Sequence, residues 1–401
     1  MSTPPAGTGF LKFNSLPPRL HITAEGANAE DDFDPDIPQY FKEEGFDVTY
    51  LPWNNGGKAY RNALAHLPDD LELGESYAVV AFGAAATDCL DHFIKPAPKL
   101  AAVICYYPPR ILRPDAKYPP QMDVLVHLAG NQNFAPAFQT HYSYKGAIPG
   151  FAESDLDEFN KNAASLAWTR TLGTLRKAFQ LNVELEPVKE VHTARVYAAQ
   201  DAKQTVAGFG TDGPYVNHVP TMTGGIGQRD LLRFYKDYFI NRAPPSLSMR
   251  LVSRTSGTNR VVDEFILSFK HTTEIPWILP GVQPTQKVVH VAMVSVVCIH
   301  GGKLYSEHVY WDQASVLVQV GLLDPKLVPE KFSKQGLKRL PVYGSETASK
   351  VLDEESQPSN GLIETWNEST GKDKTNLPAR PKQAANANAG NGAAANGGGA
   401  G

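Results

Sequence analysis

Six consecutive apolar residues, Tyr77-Ala78-Val79-Val80-Ala81-Phe82, run straight into Gly83-Ala84-Ala85-Ala86. An unbroken apolar run that stops on glycine reads as a strand buried on both faces. Such a strand needs helices above and below it, which points to a parallel sheet with crossover helices. The surrounding chain supplies both. Strand patterns at Arg19 to Thr23, Phe46 to Leu51, Leu100 to Tyr107 and Met122 to Leu128 alternate with helical ones. The helical stretches are Asp36 to Gly45, Lys58 to Leu67, Ala84 to Phe93 and Asp155 to Phe179.

Beyond Pro187 the texture changes. Helical stretches come first (Val188 to Gln204, Asp230 to Phe239), then long strand patterns at Met249 to Ser256, Arg260 to Lys270, Lys287 to His300 and Lys303 to Tyr310. Helices and strands in separate blocks are the α+β pattern. Two domains are therefore expected, an α/β domain over 19–186 and an α+β domain over 187–342. They are flanked by extensions over 1–18 and 343–401. The last nineteen residues, from Gln383, are eight Ala, six Gly, four Asn and one Gln, a composition that cannot bury a core and should be disordered.

Composition narrows the partners. A net charge of -4 argues against nucleic acid and against an anionic membrane surface. No segment approaches the roughly 18 to 20 apolar residues of a membrane span. The three cysteines, Cys89, Cys105 and Cys298, fit no disulfide or metal spacing and read as buried thiols. A cytoplasmic protein with no metal and no cofactor is expected.

The turn after Phe82 has the shape of a nucleophile elbow, in which small residues let a helix approach its strand. From residue 19 to 180 the chain resembles the dienelactone hydrolase family, whose elbow reads Gly-x-Cys-x-Gly-Gly. Ala81 takes the first glycine, Gly83 the cysteine, and Ala85-Ala86 the last two. The acid position falls on Asn131-Gln132-Asn133, and amides cannot orient a histidine as a carboxylate does. Pro149, in Ala147-Ile148-Pro149-Gly150-Phe151, stands at the histidine. The resemblance thus implies a three-layer α/β-hydrolase fold, with Gly83, Asn131 and Pro149 as degenerate triad positions. Cys89, deeper in the helix, reads as a core thiol rather than a substitute nucleophile.

In the second domain, Phe269-Lys270-His271-Thr272-Thr273 precedes Gly281-Val282-Gln283-Pro284-Thr285. A late Tyr310-Trp311-Asp312 runs into Gln319-Val320-Gly321. These segments resemble the SnoaL-like polyketide cyclases of the nuclear-transport-factor-2-like superfamily. That resemblance implies a cone, a curved antiparallel sheet wrapped by helices around an apolar pocket, and commonly a homodimer formed through this domain. In that group the pocket acid/base is a carboxylate near the end of the last strand, where Asp312 falls. Alternation along the strand sends His308, Tyr310 and Asp312 to one face and Glu307, Val309 and Trp311 to the other. The first face is expected to line the pocket opposite the loop from His271 to Thr285. Asp312 is then the acid/base, with His271 or His308 beside it, and Trp277, Trp311 and Tyr310 as wall. Asp312 is equally suited to cap the helix that follows it. Asp263 and His218 are further pocket candidates, and Gly224-Gly225-Ile226-Gly227 could cradle an anion.

Three readings follow from the sequence. The second domain could be a small-molecule cyclase, isomerase or lyase, the chain could be a non-catalytic binding or scaffold protein, or the first domain could be an esterase or lactonase. The substituted triad weighs against the last.

Overall fold

In the computed structural model, which describes residues 17–134, 140–363 and 365–366, the run Tyr77–Phe82 forms strand β3, buried along its whole length. It lies inside a six-stranded sheet with β1 (Arg19–Ala24), β2 (Asp47–Tyr50), β4 (Leu100–Tyr106), β5 (Asp123–Ala129) and β6 (His141–Tyr144). The order is β2-β1-β3-β4-β5-β6, and every pairing is parallel. The period of two explains why no residue of β3 could be polar. Ala78, Val80 and Phe82 face one hydrophobic core, and Tyr77, Val79 and Ala81 face another across the sheet. The order reverses between β1 and β3, a topological switch point that leaves a crevice outside their carboxyl ends. The helix expected from Asp155 begins only at Lys161 and ends at Ala178, because Asn160 caps it by accepting from the Ala163 amide at 3.1 Å.

The second sheet contains β7 (Tyr215–His218), β8 (Thr223–Ile226), β9 (Ser248–Ser256), β10 (Arg260–Lys270), β11 (Val288–His300) and β12 (Lys303–Trp311). Its order is β8-β7-β12-β11-β10-β9. The expectation of an antiparallel sheet needs one correction, because β7 pairs with β12 in parallel. The short β7 and β8 escaped the sequence reading. The glycine run expected as a possible anion loop is instead part of their hairpin. A side chain at Gly224 would place its Cβ 2.0 Å from the Val216 carbonyl oxygen, so only glycine lets the two backbones approach. Register shifts at Glu264/Phe265 and Cys298/Ile299 bend the long strands. Helical segments from Glu186 onward cover the inner face of the sheet and share its core.

The two units meet through buried polar pins. Arg176 pairs with Glu44 at 2.7 Å and also donates to the Thr258 carbonyl. Glu44 in turn lies 3.3 Å from His300 Nδ1 and accepts from the Gly301 amide at 3.2 Å. Arg260 reaches across to the hydroxyls of Ser165 and Thr169, each at 2.9 Å. The N-terminal residues before Pro17 and the Ala/Gly/Asn tail lie outside the described residues.

Candidate functional site

The inner face of the second sheet carries a row of polar groups in an otherwise apolar core. Ser295 on β11 sits opposite Asp263 on β10, and Glu307 on β12 lies beside it. The helix Glu186–Thr193 lies over this row and presents Lys189 and His192, three residues apart and so on one helix face. Glu307 Oε1 accepts from Lys189 Nζ at 2.9 Å and from Ser295 Oγ at 2.7 Å. His192 Nε2 stands 3.5 Å from Glu307 Oε2. All four side chains are buried.

Electrostatics fix the protonation states. Burial alone would raise the Glu307 carboxyl, but the Lys189 charge and the hydrogen bonds from His192 and Ser295 hold it well below the usual carboxylate range. Burial lowers His192 below its ordinary value, only partly opposed by Glu307. The imidazole is therefore neutral near pH 7. A neutral imidazole that turns its Nε2 hydrogen to the carboxylate leaves Nδ1 as a buried lone pair, which meets no hydrogen-bond partner among the described residues. A histidine oriented by a carboxylate, with its other nitrogen free, has the chemistry of a general base.

Around this pair, Tyr197, Tyr235, His218, Asp263, Phe265 and Val309 enclose a cavity of about 30 Å³, roughly the share of one water molecule. Burial raises both tyrosine phenols and the Glu307 charge raises them further, so both keep their protons at neutral pH. Thr193, Val196, Tyr197, Phe239 and Met249 belong both to this cavity and to a groove of about 850 Å³ that opens at the surface. Both helical segments at that mouth, Ala194–Ala198 and Phe234–Phe239, are π-helical turns, a widened geometry that recurs at functional sites.

The face chosen from the sequence is the other one. Alternation along β12 is as expected, but Glu307, Val309 and Trp311 point inward. Tyr310 is 43% exposed, and His308 is half-buried against Tyr215, its Nε2 lying 2.9 Å from the phenol. Asp312 is exposed and caps the helix Gln313–Val320 through the Ala314 amide at 3.0 Å. The physical reason is hydrophobic weight, since Val309 and Trp311 gain more from burial than Tyr310 and Asp312. His271 is fully buried in its own loop, its Nδ1 accepting from the Thr285 amide at 3.2 Å, and does not meet Asp312. Trp277 and Trp311 pack edge to face at 5.9 Å in the core behind the cavity. His218 lines the cavity, stacked on Phe239 at 5.6 Å, and so does Asp263, held by Arg254 at 2.6 and 3.0 Å. Sequence reasoning missed Lys189, His192, Ser295, Tyr197, Tyr235 and the inward Glu307. The spacing of Lys189 and His192 was the one visible signal.

In the first unit, Gly83 adopts φ 61° and ψ -134°, a backbone region essentially reserved for glycine. This is a sharp strand-to-helix turn without a nucleophile. A Cβ there would lie 2.6 Å from Glu25 Oε2, which itself accepts from the Ala84 amide at 2.7 Å. The carboxylate thus takes up the backbone donor that in a hydrolase elbow serves the oxyanion. Asn131 and Pro149 are exposed. Cys89 is buried, and burial pushes its thiol up to about 12.

No protein-family profile matches the chain, and no curated protein matches it. Similar solved structures exist. A protein described as a SnoaL-like polyketide cyclase from Jannaschia Sp. CCS1 is 15% identical with a TM-score of 0.29, covering 36% of this chain and 98% of its own. Another from Shewanella putrefaciens CN-32 is 12% identical with a TM-score of 0.30, over 36% of this chain and 90% of its own. A protein with a ketosteroid isomerase-like fold from Catenulispora acidiphila DSM 44928, in complex with trimethylamine, is 17% identical with a TM-score of 0.27, over 33% and 94%. Likeness at this level says nothing about chemistry, which rests on the geometry above.

Proposed function

We propose that the second unit is a SnoaL-like cone that performs acid/base chemistry on a small molecule, as a cyclase, isomerase or lyase. The carrying observation is the unpartnered Nδ1 of His192, held neutral in a buried site beside an anionic Glu307. The ligand body occupies the 850 Å³ groove, and its reacting carbon reaches the inner cavity past Tyr197 and Phe239. His192 Nδ1 removes a proton α to a carbonyl. Lys189 keeps Glu307 ionised, Glu307 stabilises the imidazolium, and Tyr197 donates to the developing enolate oxygen. Asp312, His271 and His308 take no part. A metal and a cofactor are not needed for this step.

The test is hydrogen–deuterium exchange in D2O over a panel of cyclic enolisable ketones, followed by NMR. Exchange above the buffer rate that falls by about 10² or more in His192→Gln supports the reading, and an unchanged rate removes His192 from it.

One observation favours a second reading, a non-catalytic binding protein. The inner cavity holds about one water, and Glu307 is already fully paired. Saturable ketone binding without exchange would select it. For the first unit we propose a hydrolase-like domain without hydrolysis, since Gly83 bears no nucleophile and Glu25 takes the Ala84 amide. Ester turnover abolished by Cys89→Ala would refute that.

A further inference from the structure

Between the two units lies a second cavity, of about 500 Å³, separate from the cone. Its volume falls in the range of small-molecule sites, and both a domain interface and a switch-point crevice are places where such sites recur. Phe82 and Tyr106, the last residues of β3 and β4, form part of its floor.

One wall is aromatic. Trp168 stacks on His300 at 5.2 Å, and Tyr305 meets the same imidazole edge-on at 5.7 Å. The Trp168 Nε1 hydrogen is buried and has no acceptor among the described residues, although buried indole donors usually find one.

The other distinctive feature is a pair of cations, Arg260 and Lys161, that pair with no carboxylate among the described residues. Arg260 donates to Ser165, Thr169 and Asn259, all neutral oxygens, and no carboxylate lies within ion-pair distance among the described residues. Lys161 lies over the Tyr215 ring at 5.2 Å and likewise has no acidic partner there. Both cations bear on His308 in the same lining. The lining also holds two carboxylates, each hydrogen-bonded within its own loop. Asp34 accepts from the backbone amides of Asp36 and Ser154, and Asp36 accepts from the Ser154 hydroxyl at 3.0 Å.

We propose that this interdomain cleft binds a flat aromatic carboxylate, its rings against Trp168 and Tyr305 and its anionic group held by Arg260 and Lys161. Stacking supplies the shape selection, and the cations, with the Trp168 donor, supply the polar selection. The site is independent of the chemistry proposed for the cone.

The test is calorimetric titration of the full chain with 2-naphthoate and its neutral analogue 2-naphthalenemethanol. Naphthoate should bind saturably and at least about tenfold more tightly, the scale of one charge-assisted hydrogen bond. Lys161→Gln should remove most of that preference while leaving the neutral analogue unchanged. Lys161 is exposed and forms no side-chain hydrogen bond to a described residue, so this variant keeps the fold. Ala164→Trp, which fills the cleft from its lining, should abolish binding of both probes, with folding checked by circular dichroism. Equal affinity for the two probes, naphthoate binding unmoved by Lys161→Gln, or no saturable binding at millimolar probe overturns the proposal.

Discussion

Glu307→Gln keeps the shape of the buried network and removes the negative charge that meets Lys189. In the native chain Glu307 accepts from Lys189 and Ser295 and faces His192, with the Lys189 and Glu307 side chains 5% and 9% exposed. Glutamine leaves the Lys189 ammonium buried without an anion. Removing one partner of a buried pair costs about 3–5 kcal/mol, whereas an exposed pair contributes about 0–1 kcal/mol. The exposed Lys177–Asp123 pair is therefore the internal control. Urea denaturation at pH 7 should show the large loss for Glu307→Gln and almost none for Asp123→Asn. Adding Lys189→Met to the variant should restore much of the lost stability at pH 7. A deficit below about 1 kcal/mol would refute a buried, mutually dependent charge pair.

Three further outcomes are expected. Gly83→Ala should cost about 1–3 kcal/mol in urea denaturation, because its backbone region excludes a side chain, and Glu25→Ala should reduce that cost by clearing the space at Oε2. On acidification, burial holds His127 neutral down to about 3 and His218 and His21 down to about 4, against an ordinary 6.5. Each lowered histidine subtracts stability as pH falls below 6.5, so His127→Gln should flatten the loss between pH 7 and pH 5 by about 2 kcal/mol. Arg176→Ala, which strands the buried Glu44 carboxylate between the units, should destabilise the chain by about 3 kcal/mol and raise protease sensitivity between them.

The parallel sheet was legible because its two central strands, β3 and β4, are buried on both faces and read as unbroken apolar runs. The long strands of the second sheet were legible from their alternation. Which face turned inward was not, because both faces of β12 mix polar and aromatic residues. A one-residue shift of register exchanges Glu307 for His308. Burying Val309 and Trp311 brings Glu307 inward with them, which is tolerated only because Lys189 and His192, 118 and 115 positions away in the chain, meet its carboxylate. Local pattern carries no record of such a long-range partner. The same limit hid the elbow's state, since Gly83 and the small residues after it were readable but Glu25, 59 residues before Ala84, was not.

In the proposed chemistry His192, and not Asp312, is the proton-transfer group. Exchange rates for one accepted ketone, measured side by side in the native chain, His192→Gln and Asp312→Asn, test this directly. His192→Gln should lower the rate by about 10² or more. Asp312→Asn should leave it within about twofold, since an exposed helix cap contributes to stability and touches no substrate. Loss of exchange in Asp312→Asn with the rate intact in His192→Gln would contradict the account and return the chemistry to the outer face of β12.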